Sequence, residues 1–254
     1  MSLIIEEQGP ILHATIDRPE ALNAIDFEVM GELEAVVDRL EDEPDWRVFV
    51  LRGAGERCFI SGGDLRKFAE LTTADQAAEM AERMKAILER LERLDCWTIA
   101  AINGDAYGGG CETLLAFDFR YAAEDVVFGL TQAKFHVTPG WGGLTRLVEA
   151  VGRRMTLRWL AEEAHVNAEE AMIAGLIDRV LPRAGLTEGV HALAERLGRQ
   201  EREMIGALKR GALRAREMPR SEAIEAEVEA FSKLWASEEH HRRVGAFLGR
   251  GSED

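Results

Sequence analysis

Apolar and polar residues alternate along Ile11-Leu12-His13-Ala14-Thr15-Ile16-Asp17, the period of a strand with one buried face, until Arg18-Pro19 stops the run. After Asp26 the period changes. Phe27, Met30, Leu33, Val37 and Leu40 fall on one stripe of a helix from about Phe27 to Leu40, and Asp26 stands where a cap belongs. An acidic turn, Glu41 to Asp45, precedes Arg47-Val48-Phe49-Val50-Leu51-Arg52-Gly53, a short apolar run that reads as a strand buried on both faces. A charged helix from about Thr73 to Leu94 leads into a second such strand, Thr98 to Gly104. Strands alternating with helices predict an α/β domain with mainly parallel pairing. Asn167-Ala168-Glu169-Glu170 reads as a capping box, with Gly175 ending its short helix. Beyond about residue 186 the strand signals stop. Arg202 to Glu217 and Ser221 to Leu248 read as amphipathic helices broken at Met218-Pro219-Arg220, so the chain divides into an α/β part, 1–186, and a helical part, 187–254.

Composition narrows the function classes. A chain of 254 residues accommodates one large domain with an appendage and needs no disulfide or metal to complete its core. Its cysteines, Cys58, Cys96 and Cys111, are odd in number and form no CxxC pair, which fits a reducing cytoplasm. The six histidines form no HExxH element, so no catalytic metal is expected. The N-terminal segment carries Glu6 and Glu7 and does not read as a signal peptide, and no apolar run is long enough for a membrane helix. A net charge of −15 disfavours nucleic acid, whose affinity rests on Lys and Arg neutralising phosphates. Any anionic ligand would need a locally positive seat.

Two glycine turns carry the candidate chemistry. In Asn103-Gly104-Asp105-Ala106-Tyr107-Gly108-Gly109-Gly110-Cys111-Glu112, three glycines follow an apolar strand and open a helix. Without Cβ atoms, such a turn lets backbone N–H groups approach a ligand oxygen and stabilise negative charge developing on it. Glu112 then falls about one turn beyond Gly109 on the same side. The same residues equally serve tight strand–helix packing, with Glu112 an ordinary first-turn acid. The GGG run lacks the third glycine of a dinucleotide fingerprint, since Thr113 holds that place, and no Walker lysine or GxSxG elbow is present. Phe59-Ile60-Ser61-Gly62-Gly63-Asp64-Leu65-Arg66 repeats the arrangement after another buried strand. Together the two turns supply two N–H donors, and Arg66 and Lys67 add positive charge or form a solvated face.

Taken in order, these segments resemble the crotonase (enoyl-CoA hydratase/isomerase) superfamily over nearly the whole chain. Arg18-Pro19 with Leu22-Asn23-Ala24-Ile25 resembles the family's RP…NAL signature, and Phe59 to Leu65 its F-x-A-G-A-D-L loop. Asn103 to Phe119 resembles its N-G-x-x-x-G-G-G-x-E block, and Pro139-Gly140-Trp141-Gly142-Gly143 with Thr145-Arg146-Leu147 its glycine-rich turn. Phe231 to Leu248 is similar to its closing helix. The resemblance implies a spiral of repeated ββα units with a helical C-terminal region that builds trimers, often paired into hexamers. It implies an acyl-CoA substrate whose enolate-like intermediate is held by Gly63 and Gly109. Ala24, Ser61, Asp64, Leu65, Arg66 and Trp141 would line the substrate, with no metal or redox cofactor.

The chain departs from the hydratase pattern at one position. Glu112 matches the first of two family glutamates, whereas Phe128-Gly129-Leu130-Thr131-Gln132 places Gln132 at the second. An amide exchanges no proton at neutral pH and orients a water or a substituent instead. Three readings follow: hydration or double-bond isomerisation by Glu112 alone, decarboxylation of a malonyl-type CoA such as methylmalonyl- or ethylmalonyl-CoA, or hydrolysis or mere binding of an acyl-CoA thioester. Retained Glu112 favours the first. His136, Thr138 and Trp141 lie close by in sequence and resemble decarboxylase-like branches.

Overall fold

A computed structural model describes residues 2–250, with Arg250 by its backbone alone. The alternating segment is a strand, β2 (Ile11–Ile16), in a hairpin with β1 (Leu3–Gln8), and Gly9 supplies the positive φ (+56°) that a two-residue turn requires. Helix α1 (Phe27–Asp42) starts where Asp26 Oδ1 accepts the N–H groups of Glu28 and Val29, both at 3.0 Å. It buries Val29, Met30, Leu33, Val36, Val37 and Leu40. Phe27, which the stripe assigned to the core, is 41% exposed and meets the Phe68 ring edge-on at 5.2 Å.

From here the chain winds in turns, each contributing strands to two sheets. β3 (Val48–Gly53) is followed by β4 (Cys58–Ile60), α2 (Leu65–Phe68) and α3 (Ala74–Arg93). β5 (Trp97–Ile102) and β6 (Asp105–Tyr107) lead to α4 (Gly109–Leu114). β7 (Phe119–Ala123) and β8 (Val127–Gly129) lead to α5 (Gly143–Ala161). β9 (His165–Asn167), α6 (Ala168–Ala174) and β10 (Arg179–Leu181) close the winding. β3, β5, β7 and β10 join β1 and β2 in a six-stranded sheet ordered β1-β2-β3-β5-β7-β10, and β4, β6, β8 and β9 form a four-stranded sheet ordered β4-β6-β8-β9. All pairs are parallel except β1–β2 and β8–β9, as the buried apolar runs predict. This is the expected α/β spiral of ββα units.

Two buried asparagines set where the turns point. Asn103 accepts the Gly53 N–H (3.0 Å) and donates to the carbonyls of Gly53 (2.7 Å) and Gly55 (2.6 Å), tying the end of β5 to the end of β3. Asn23, at φ +55°, accepts from the Arg18 N–H (3.1 Å) and donates to the carbonyls of Ala54 (3.1 Å) and Cys58 (2.6 Å). Each side chain thus satisfies three backbone groups that would otherwise be stranded near the connection into β4.

The C-terminal boundary moves. Helix α7 (Leu186–Leu197) buries Leu186, Val190, Leu193, Ala194 and Leu197 in the main core, so the first compact unit runs through Arg199 and the second begins at Gln200. In the second unit, α8 (Arg202–Glu217) precedes α9 (Arg220–Trp235) and α10 (Glu238–Arg250). The single helix expected from Ser221 to Leu248 is two, because Ser237 acts as a cap: its Oγ accepts the His240 N–H at 3.2 Å. Glu238 and Glu239 then occupy the first turn, where negative charge is favoured.

Candidate active site

The loop after β4 is drawn beside the N-terminal segment by an isolated parallel bridge between Ile25 and Gly63. Its two hydrogen bonds run from the Ile25 N–H to the Gly62 carbonyl and from the Asp64 N–H to the Ile25 carbonyl, both at 2.8 Å. The Gly63 N–H takes no part in the bridge. On the other loop Gly109 is the first residue of α4, so its N–H has no intrahelical acceptor. The two loops touch: a Cβ on Gly62 would lie 3.1 Å from the Gly109 nitrogen. Gly62 holds φ at +104° and Gly108 at +50°, conformations that L side chains rarely take. Behind them, a Cβ on Gly110 would fall 1.9 Å from the Ile60 carbonyl oxygen, so α4 packs directly on β4. The glycines therefore serve both close packing and an unpaired donor pair.

Arg18 and Asp64 keep this loop in place. Asp64 caps α2 by accepting the N–H groups of Arg66 (3.1 Å) and Lys67 (3.3 Å). It also meets the Arg18 guanidinium at 2.9 Å, while the same guanidinium reaches Asp26 at 3.1 Å and the Ala24 carbonyl at 2.5 Å. Burial pushes the Asp64 carboxyl up, but Arg18 and the two helix N–H groups outweigh it and hold the group below its ordinary range. Asp64 and Ala24 thus spend their polar groups on the loop itself. Ser61 likewise donates its hydroxyl to the Ala21 carbonyl (3.4 Å). Leu65, Arg66 and Lys67 are exposed, and the two cations make no ion pair among the described residues. They form a small basic edge on an acidic protein.

Glu112 is buried one turn into α4, its N–H bonded to the Gly108 carbonyl at 3.2 Å. Its Oε2 accepts the N–H groups of Trp141 (2.7 Å) and Gly143 (3.1 Å). Its Oε1 receives a long hydrogen bond from Gln132 Nε2 (3.4 Å). Burial raises the carboxyl above its ordinary value, and the backbone N–H groups of Trp141 and Gly143 oppose that shift without cancelling it. Gln132 is also buried, and its Oε1 has no hydrogen-bond donor. His136 and Thr138 are exposed on the following loop. The structure brings Glu112, Gln132 and Trp141 together, with the Trp141 ring against Gly109 and within contact range of Gly63. Sequence reasoning missed Gly143, which accommodates Glu112: a Cβ there would fall 2.2 Å from Glu112 Cγ. It also missed Arg146, buried between the Trp141 carbonyl (3.1 Å) and Glu92 (3.2 Å).

The family model described as enoyl-CoA hydratase/isomerase matches residues 6–254. The chain belongs to the enoyl-CoA hydratase/isomerase family. It is an acyl-CoA enzyme of the hydratase/isomerase type. Curated relatives include the short-chain-enoyl-CoA hydratase of Clostridium acetobutylicum, 29% identical over 97% of this chain and 94% of the relative. The carnitinyl-CoA dehydratase of Escherichia coli K12 is 36% identical over 87% of this chain and 84% of the relative. Among solved structures, DspI of Pseudomonas aeruginosa superposes with a TM-score of 0.93 at 31% identity, covering 98% of this chain and 94% of that one. The enoyl-CoA hydratase of Bacillus anthracis gives 0.93 at 26% identity over 98% and 97%.

Gly143→Ala tests the seat of the acid in this family member. The added methyl must displace the Glu112 side chain, and a shift of about 1 Å in a reacting group costs roughly 100-fold in turnover. Acyl-CoA turnover should fall by about that factor while circular dichroism stays unchanged; full activity would show that Glu112 does not need this position.

Proposed function

We propose that the protein hydrates 2-enoyl-CoA thioesters to 3-hydroxyacyl-CoA, and catalyses the reverse, with Glu112 as its single acid–base group. The observation that carries this reading is the pair formed by buried Glu112 and Gln132, whose Oε1 is a buried acceptor lacking a donor. The thioester oxygen lies between the N–H groups of Gly63 and Gly109, which stabilise the charge it gains as the water oxygen bonds to the β-carbon. Glu112 Oε1 takes one proton from that water and delivers it to the α-carbon, returning to the carboxylate; the hydroxyl stays on the β-carbon. Gln132 Oε1 accepts the other O–H and orients the water. Coenzyme A enters as part of the substrate, and these steps need neither metal nor redox cofactor.

A malonyl-type substrate fits less well. Its carboxylate would lie against two acceptors, Glu112 and the Gln132 carbonyl oxygen. A scaffold that merely binds acyl-CoA would have no use for an acid whose proton affinity is raised. The names of the Clostridium relative and of the crotonyl-CoA hydratase of Syntrophomonas wolfei, 29% identical over 97% of this chain, support hydration.

Crotonyl-CoA, a 3-enoyl-CoA and methylmalonyl-CoA form the deciding panel. Hydration of crotonyl-CoA is expected, and Glu112→Gln should lower kcat by about 1,000-fold, within the span of general acid–base effects. Because the reacting form is the carboxylate and its pKa is raised, kcat/KM should fall on acidification through a limb lying above 4.5. Carbon dioxide released from methylmalonyl-CoA without hydration of crotonyl-CoA would overturn the reading.

We further infer a homotrimer, alone or paired into a hexamer, in the cytoplasm. Among the described residues no helix is long and apolar enough to cross a membrane. Val228, Phe231, Trp235, Phe247 and Leu248 are each more than half exposed in the second unit, more apolar surface than a lone chain ordinarily leaves in water. Cys58, Cys96 and Cys111 are buried as thiols, which supports a reducing compartment. Sedimentation equilibrium should give three or six times 28.2 kDa; a single chain's mass would contradict the assembly.

A further inference from the structure

Trp141 carries the bulkiest side chain at the site, and it is 5% exposed. One edge of its indole spans both donor turns. A Cβ on Gly109 would fall 2.2 Å from Cζ3 and 2.6 Å from Cη2, and one on Gly63 would fall 3.5 Å from Cζ2. The ring is thus packed on the Gly109 backbone and within contact range of Gly63.

The main chain of Trp141 is fixed from both sides. Its N–H is committed to Glu112 Oε2 at 2.7 Å, and its carbonyl accepts from Arg146 Nη1 at 3.1 Å. Arg146 is itself buried against Glu92, and Gly142, next in the chain, holds φ at +83°. Moving the backbone to withdraw the ring would release the acid, so the indole forms a standing wall. The two glycines hold the thioester oxygen and Glu112 reaches the α- and β-carbons, so this wall bounds the space into which the acyl chain continues. Packed protein interiors do not yield to added methylenes without cost.

We propose that Trp141 is the specificity-determining residue for acyl length, admitting a four-carbon acyl group and turning away long chains. This rests on the acyl-CoA hydration assigned above. Glu112 is held by the Trp141 backbone N–H, which survives truncation of the ring, so shortening it changes which substrate fits more than how fast the chemistry runs.

The test compares kcat/KM for trans-2-enoyl-CoA thioesters of four and ten carbons in the wild type, Trp141→Ala and Trp141→Phe, each checked by thermal melting. The wild type should prefer the four-carbon substrate by at least about tenfold, and Trp141→Ala should reduce that ratio at least about tenfold, chiefly through KM for the longer chain. Trp141→Phe, with a smaller ring and a better prospect of native stability, should fall between them. Equal losses on both substrates, or a wild type indifferent to length, would overturn the proposal. Calorimetric binding of butyryl-CoA and decanoyl-CoA reads the same preference without turnover. Tighter butyryl-CoA binding that disappears in Trp141→Ala supports the wall even if no enoyl-CoA is hydrated, an outcome that would sink the hydration reading alone. Equal affinities for the two thioesters would sink the wall whatever the enzyme turns over.

Discussion

The structure turns on one buried carboxylate and the two backbone N–H groups that hold it. Taking Glu112 out of water is costly unless hydrogen bonds replace its hydration. Trp141 and Gly143 supply them from the turn before α5, so the glycine-rich segment, the start of α5 and the first turn of α4 must meet at one point. That requirement explains several residues at once. Gly143 leaves room for the Glu112 side chain, Gly109 leaves room for the Trp141 ring, and Arg146 holds the Trp141 carbonyl from behind. Two hydrogen bonds occupy Oε2, and Oε1 faces Gln132. A raised proton affinity is what a group that both takes and returns a proton needs.

Gln132 changes the electrostatics at the same spot. A second carboxylate at hydrogen-bonding distance would raise the Glu112 pKa further through like-charge repulsion, and one of the two would be held protonated. The amide avoids that. It donates to Glu112 through Nε2 and leaves Oε1 open to a donor; on the proposed mechanism one acid then serves at both carbons of the double bond. Charge elsewhere fits an anionic substrate locally: among the described residues Arg66 and Lys67 make no ion pair at the edge of the Gly63 loop, although the chain carries −15 overall. The cysteines stay out of the chemistry. Burial, with the Asp105 charge adding to it, pushes the Cys58 thiol up to about 12, and burial raises Cys111 as well.

Much of the architecture was legible because its signals are local. The strand period at Ile11, the cap at Asp26, the capping box at Asn167 and the glycine turns each depend on a few neighbouring residues. What escaped was set by distant partners or by competition between local signals. Arg18 lies 46 positions from Asp64, so no local signal marks it as the partner that holds this capping side chain. Asn23 and Asn103 gave no periodic signal, since their partners are backbone groups of the β3–β4 connection. Helix α7 seemed part of the C-terminal appendage because amphipathicity does not say which core a stripe joins; its Val190 and Leu193 lie in the first unit's core. The break at Ser237 was written in the sequence as Ser-Glu-Glu, yet the amphipathic pattern on either side masked it.

On the proposed mechanism one carboxylate, on one side of the acyl plane, handles both the water and the α-carbon. Running the hydration of crotonyl-CoA in deuterium oxide and determining the relative configuration of the product tests this directly. That mechanism predicts 3-hydroxybutyryl-CoA with a single deuterium at the α-carbon, added from the same face as the β-hydroxyl. Deuterium on the opposite face would require a second acid–base group across the substrate from Glu112, and would contradict it.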